Sequence, residues 1–409
     1  MRTFFAVLML LALPAVAHDM LPGKPQSQPI LIKGATVHSV TSGTQPGTDL
    51  LFDKGVIIAI GQGLAVPAGA KVIDAKGKHL YSGLIGLSTV LGLQEIEAVR
   101  ATNDEEEVGE LTPEVAAETA FNGDSDIIPT IRSNGIALVE IAPTGGLVAG
   151  RSAAMRLDGW NRRDMLIKAD TGMHLYWPKV GDETGREKLE TFFADAEAYR
   201  QRRIDNKQQP LDTRLEAMRG VMEKRVPLFI HVNGSAAIHQ VLRFGDRFGL
   251  HWTLVGGRGA ESYAKALAKR DVAVVVTDPE GLPSSDDAPY DEAYALSGLL
   301  AKAGVKVAIA LPYSWSSRDL PFAVGQAEAW GLDAQKGLAS VTLVPAKLLG
   351  IDTHYGDLTV GRSATLIITD HPLFDYAGVN VKALYIDGRS VDLDNRQKRL
   401  YRKYLQKGQ

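Results

Sequence analysis

Tyr81-Ser82-Gly83-Leu84-Ile85-Gly86-Leu87-Ser88-Thr89-Val90 divides the chain into two textures. Before it stand short β-branched runs broken by glycines, Ile30 to Val37, Asp49 to Gly61 and Val72 to Leu80, as expected of a small sheet with tight turns. Asp53-Lys54-Gly55 reads as a hairpin turn. After it, apolar strand-like runs alternate with amphipathic helical stretches: Gly135 to Ile141, Pro227 to Val232, Trp252 to Val255, Val272 to Asp278 and Val305 to Ala310. The far end, Gly356 to Ile368 and Val381 to Val391, returns to the first texture.

Alternation of this kind over about 270 residues suits a (β/α)8 TIM-like barrel, whose usual size is about 250. A doubly wound open sheet is the competing α/β architecture. The expected organisation is a signal peptide at 1–17, a flexible leader at 18–29, a first β-sandwich part at 30–80, a barrel at 81–352, and a second sandwich part with a tail at 353–409. Charged, helical residues from Asp182 to Arg225 read as an insertion or a pair of long outer helices.

The 409 residues are 45% hydrophobic and 23% charged, with a net charge of −3, which suits a folded chain with a large core and gives no footing for nucleic acid. Arg2, the apolar run Phe4 to Leu13 and Ala15-Val16-Ala17 form a signal-peptide pattern, so export to a periplasmic or extracellular compartment is expected. That run is short of the roughly 20 residues that span a bilayer, and no stable membrane span is expected elsewhere. Cysteine is absent, which excludes disulfides, zinc-thiolate sites and cysteine nucleophiles.

Gly83-Leu84-Ile85 resembles the first barrel strand of the amidohydrolase superfamily, where Pro-Gly-Leu-Ile-Asp precedes a metal-binding His-x-His. In this sequence Ser82 replaces the Pro, Gly86 the Asp, and Ser88 and Val90 the two histidines. The resemblance extends to Val341-Thr342-Leu343-Val344-Pro345-Ala346, similar to the family's Thr-x-Asn-Pro-Ala helix. Gly145 to Gly159 is similar to a Gly-rich segment of imidazolonepropionase-like members. A P-loop reading of Gly145 to Ser152 fails, because Arg151 stands for the lysine and a strand, not a helix, follows. The family fold joins both chain ends in a composite β-sandwich, which accounts for the repeated texture.

By the same resemblance, metal ligands are due at the ends of strands one, four, five, six and eight. Only His231, in Phe229-Ile230-His231-Val232-Asn233, occupies such a place; strand six ends in Gly256-Gly257 and strand eight in Leu311-Pro312. One imidazole cannot replace three or four ligands, so no metal set and no cofactor are expected, zinc entering only if distant residues rebuild the site. His231 reads either as a general base or lone ligand, or as a buried neutral histidine satisfied by its neighbours. Asp278 reads as its catalytic assistant on the rim, or as a cap of the turn at Pro279. Asn233, Arg100, Asn103 and Arg151 are the ligand-binding candidates, and the acidic run Asp104 to Glu107 is expected to overhang the barrel mouth or to be a solvated face.

Three functions remain open at this level. One is a non-catalytic member of the fold that binds a small molecule or pairs with an intact amidohydrolase paralogue. Another is a hydrolase of non-peptide C–N bonds, or of a small peptide or cyclic amide, with a site remodelled around His231. The third is a solute-binding protein unrelated to hydrolysis. A homo- or hetero-oligomer is expected.

Overall fold

The computed structural model describes residues 21–205, 210–376 and 380–408; the expected signal peptide lies outside them. Five strands open the chain: β1 (Ile30–Ser39), β2 (Gly43–Asp53), β3 (Val56–Gly61), β4 (Lys71–Asp74) and β5 (His79–Ser82). Eight more follow: β6 (Leu84–Thr89), β7 (Ile136–Ile141), β8 (Val148–Arg156), β9 (Leu166–Tyr176), β10 (Leu228–Val232), β11 (Trp252–Gly256), β12 (Val274–Val276) and β13 (Val307–Ile309). Three close it: β14 (Leu366–Thr369), β15 (Val381–Ile386) and β16 (Arg389–Val391).

Strands β6 to β13 lie side by side in chain order and form a nearly closed barrel. Val90 N donates to Pro312 O at 3.1 Å across the remaining gap. The barrel departs from strict β/α alternation at one place: β8 runs antiparallel to both β7 and β9. Gly145 and Gly146 sit at φ +85° and +61° and make the tight reversal that sends β8 back, a conformation that side chains with a Cβ disfavour. The two helices Glu183–Asp205 and Thr213–Met222 form the charged outer stretch between β9 and β10. Further helices follow β10 (Ser235–Phe248), β12 (Glu292–Lys302) and β13 (Leu320–Ala329), and their apolar faces supply the outer half of the core.

The two chain ends share one open sheet of order β16-β15-β14-β5-β1-β2-β3, with β4 also paired to β1. It has its own core of Ile32, Leu50, Phe52, Ile57, Leu366 and Tyr385. Each fully buried side chain of this type contributes about 1.5–3 kcal/mol by leaving water. Asp357 ties the ends together, because its carboxylate accepts from Val40 N at 2.8 Å, Thr41 N at 3.1 Å and Thr41 Oγ1 at 2.6 Å. The segment before β1 touches both bodies, with Gly23 N donating to the buried Asp158 just after β8 at 3.0 Å and Gln26 Oε1 accepting from Gly55 N of the composite sheet at 2.9 Å.

Gly83 is the joint between the two sheets, with β5 ending one residue before it and β6 beginning one residue after. A Cβ there would stand 2.6 Å from Ala137 Cβ and 2.7 Å from Thr365 Cγ2, so the joint closes only around glycine.

Candidate functional site

The site is built where five neighbouring strands, β6 to β10, face the barrel interior. Alternation along a strand puts residues i and i+2 on one face, so β9 presents His174 and Tyr176 together and β10 presents Phe229 and His231. The parallel register sets Phe229 opposite His174 and His231 opposite Tyr176. The four rings pack as a block: His174 stacks on Phe229 at 5.0 Å between centroids, and His231 on Tyr176 at 4.1 Å. Across the diagonal, His174 Nδ1 lies 2.8 Å from His231 Nε2.

Behind this block is Glu140, fully buried one residue before the end of β7. One of its oxygens accepts from Ser152 Oγ at 2.7 Å and faces His174 Nε2 at 3.3 Å; the other accepts from Ser88 N at 3.0 Å. The Ser88 N–H and the Ser152 hydroxyl both donate, so Glu140 serves as acceptor to His174 as well. A neutral imidazole carries one donor and one acceptor nitrogen. His174 therefore donates through Nε2 and accepts at Nδ1, His231 donates through Nε2, and His231 Nδ1 is left as an acceptor. Burial, reinforced by the neighbouring His174, holds His231 well below the usual imidazole range, which keeps this neutral tautomer in place.

Ser88 contributes twice. Its backbone is in the left-handed region at φ +51°, a conformation costing about 1–3 kcal/mol for a residue with a side chain and offset here by the bond to Glu140. Its hydroxyl is buried without a hydrogen-bond partner among the described residues. Both Ser88 and His231 line a cavity of about 1130 Å³ at the barrel mouth, walled by Tyr176, Trp177 and Tyr313.

Of the residues singled out from sequence, His231, Asn233, Asp278 and Asn103 line this cavity. Asn233 Oδ1 accepts from Arg258 N at 3.0 Å and Asp278 is paired with the Arg258 guanidinium at 2.5 Å, so one arginine braces both. The structure places the other two elsewhere. Arg151 binds Asp170 at 2.8 Å and Glu114 O at 2.9 Å, and Arg100 is exposed and turned back onto Asn103 O at 2.9 Å. From the acidic run, Glu105 reaches the cavity wall; its carboxyl is shifted upward by burial, against the Gln94 hydrogen bond and with help from Glu106 and Glu97.

The donors do not fit a catalytic metal. Two imidazole nitrogens sharing a tetrahedral zinc stand about 3.3 Å apart, each about 2.0–2.1 Å from the ion. Here they bond each other at 2.8 Å, and both Glu140 oxygens are occupied by protein donors. Among the described residues no group of three or more His, Cys, Asp or Glu side chains is arranged to hold a metal. Glu140, His174, Tyr176, Ser152 and Arg258 also belong to the site, and no motif marks them in the sequence. The available signal was a lone Glu in the apolar run Ile136 to Ile141, since a charged side chain enters a buried strand only with partners waiting for it.

Comparison with known proteins places these features in context. Residues 181–391 match the model of the family described as the amidohydrolase family. Dihydroorotases of Trichlorobacter lovleyi and Geobacter sulfurreducens are 41% and 43% identical over 58 residues, a match spanning 14% of this chain and 14% of each of those proteins. An amidohydrolase from Thermotoga maritima superposes with a TM-score of 0.81 at 23% identity, covering 89% of this chain and 99% of that one. An adenosine deaminase from Xanthomonas campestris with bound zinc gives a TM-score of 0.53 at 17% identity, over 94% and 98% of the two chains. A prolidase solved with N-methylphosphonate-L-proline gives 0.56 at 15% identity, over 89% and 100%. At these identities the structural likenesses establish the fold.

Proposed function

Because the chain belongs to the amidohydrolase family, and the interior positions near His231 are committed to a Glu–His–His chain, we propose that it is a metal-independent, ligand-binding member of that family. The single observation that carries this reading is the 2.8 Å contact between His174 and His231, anchored on Glu140, in the place where the family would gather ligands. The cavity is open to a small molecule, and its floor offers one unpartnered hydroxyl, Ser88, and one imidazole acceptor, His231. Pairing with a catalytically intact paralogue, oligomerisation, export after removal of residues 1–17, and the division of domains at 80 and 352 belong to the same reading. The Gly145 to Gly159 segment favours an imidazolonepropionase-like relationship within the family.

A thermal-shift screen of small polar molecules, run with and without a chelator, tests the proposal. Stabilisation by a ligand should survive the chelator and should weaken in Ser88→Ala and His231→Ala. Stabilisation that disappears with the chelator would contradict it.

The relay itself favours a second reading, hydrolysis of a C–N bond or small cyclic amide with His231 as general base. A neutral imidazole with one nitrogen fixed by a buried carboxylate chain and the other accepting is the arrangement general-base catalysis uses. Turnover on an amide panel that falls at least about a hundredfold in His231→Ala would support it. Equal turnover in the wild type and the variant would remove His231 from the role.

A further inference from the structure

The first turn of the helix Arg396–Leu405 attaches it to the barrel body. Asn395 caps it, accepting from Lys398 N at 2.8 Å and donating to Ser133 Oγ at 3.1 Å, and Gln397 Oε1 accepts from Thr130 Oγ1 at 2.8 Å. None of the ten helical residues is buried. Leu400, Tyr401, Tyr404 and Leu405 are 40%, 66%, 61% and 53% exposed. At 3.6 residues per turn these four fall on one arc of the helix.

Charge on the remaining face is of one sign. From Asn395 onward the sequence holds Arg396, Lys398, Arg399, Arg402, Lys403 and Lys407 and no Asp or Glu, in a chain whose net charge is −3. At the helix root Arg396 pairs with Asp126 at 3.7 Å and Arg402 with Asp394 at 2.6 Å. Lys403 lies over the Tyr404 ring at 5.8 Å. An apolar arc carrying two tyrosines, bordered by lysines and arginines, is the composition of a helix that lies in a membrane interface. The rings enter the headgroup layer while the cations meet anionic headgroups. A polyanion would engage the cations and leave the apolar arc unused. Among the described residues no helix is long and apolar enough to cross a membrane, so the contact is a surface one.

We propose that the helix Arg396–Leu405 docks this protein on an anionic lipid surface, independently of whatever the barrel cavity binds. The full chain is tested by co-sedimentation with vesicles of equimolar phosphatidylcholine and phosphatidylglycerol, with phosphatidylcholine vesicles as the neutral arm. Binding is expected on the anionic vesicles alone. It should fall about tenfold both in Tyr401→Ser/Tyr404→Ser and in Lys403→Glu/Lys407→Glu. None of these positions is in the core, so an unchanged melting temperature should accompany the loss. Binding no better on anionic than on neutral vesicles would overturn the proposal. So would loss in the lysine variant with full binding retained in the tyrosine variant, and a heparin arm binding the tyrosine variant as well as wild type would then identify a polyanion site instead.

Discussion

His174 Nδ1 and His231 Nε2 face each other at 2.8 Å across two adjacent parallel strands, and Glu140 fixes the direction of that bond from behind. The pair turns two potential ligands into donor and acceptor for one another. What reaches the cavity is a single imidazole nitrogen whose tautomer is set by a carboxylate two residues removed.

Removing that carboxylate should be costly. Glu140→Ala would leave the Ser88 N–H, the Ser152 hydroxyl and His174 without their acceptor in a fully buried site. Each stranded group costs about 1–3 kcal/mol, so a loss of about 3 kcal/mol or more is expected. Glu140→Gln keeps one acceptor oxygen and should lose less. Urea unfolding midpoints of the two variants check the order; equal midpoints for wild type and Glu140→Ala would remove Glu140 from its role.

The strain at Ser88 gives a prediction of opposite sign. Ser88→Gly accepts φ +51° freely and removes a buried hydroxyl that has no partner. Stability should rise by up to about 1 kcal/mol, while affinity for any ligand that uses the hydroxyl should fall. A melting temperature that drops in Ser88→Gly would show that the hydroxyl serves the fold.

Two histidines make stability depend on pH in one direction. Burial and His174 depress His231, and burial with the neighbouring His79 brings His38 down to about 4. In the unfolded chain both titrate near 6.5, so between the folded and unfolded values the unfolded state binds more protons. The contribution of these two histidines should be fully present above about pH 6.5 and decline as pH falls toward 4, while Glu328, raised by burial to about 7, works in the opposite direction over part of that window. The stability difference between wild type and His38→Gln or His231→Gln should change across that window, wild type losing more on acidification than either variant; a difference independent of pH would contradict the assignment.

At the joint between the sheets, Gly83→Ala forces a methyl within 2.6 Å of Ala137 Cβ. Overpacking of this kind costs typically about 1–3 kcal/mol, and the upper end is expected because Thr365 closes the other side. Gly43→Ala, where a Cβ meets open space but φ is +75°, isolates the purely conformational part.

The architecture was legible because it rests on local patterns. Apolar runs gave most of the barrel strands, β-branched runs gave both halves of the composite sheet, and Asp53-Lys54-Gly55 gave the turn joining β2 and β3. The site was legible only where one motif marked it. His231 stood out by its strand-end position, whereas His174 lies inside β9, a strand with mixed polarity that the sequence pattern did not reveal. Glu140 was visible as a letter within an apolar run, but its partners come from β6, β8 and β9, and only the packed barrel brings them together. Arg151 shows the reverse: its near-match to a phosphate motif carried no information about its actual bonds to Asp170 and Glu114.

The central claim, that Glu140, His174 and His231 are hydrogen-bonded to one another rather than arranged to hold a metal, is tested most directly by the zinc content of protein purified without chelator and then equilibrated with zinc and desalted. Far less than one zinc per chain is expected, with the same melting temperature before and after. One tightly held zinc per chain, lost in His174→Ala, would contradict it.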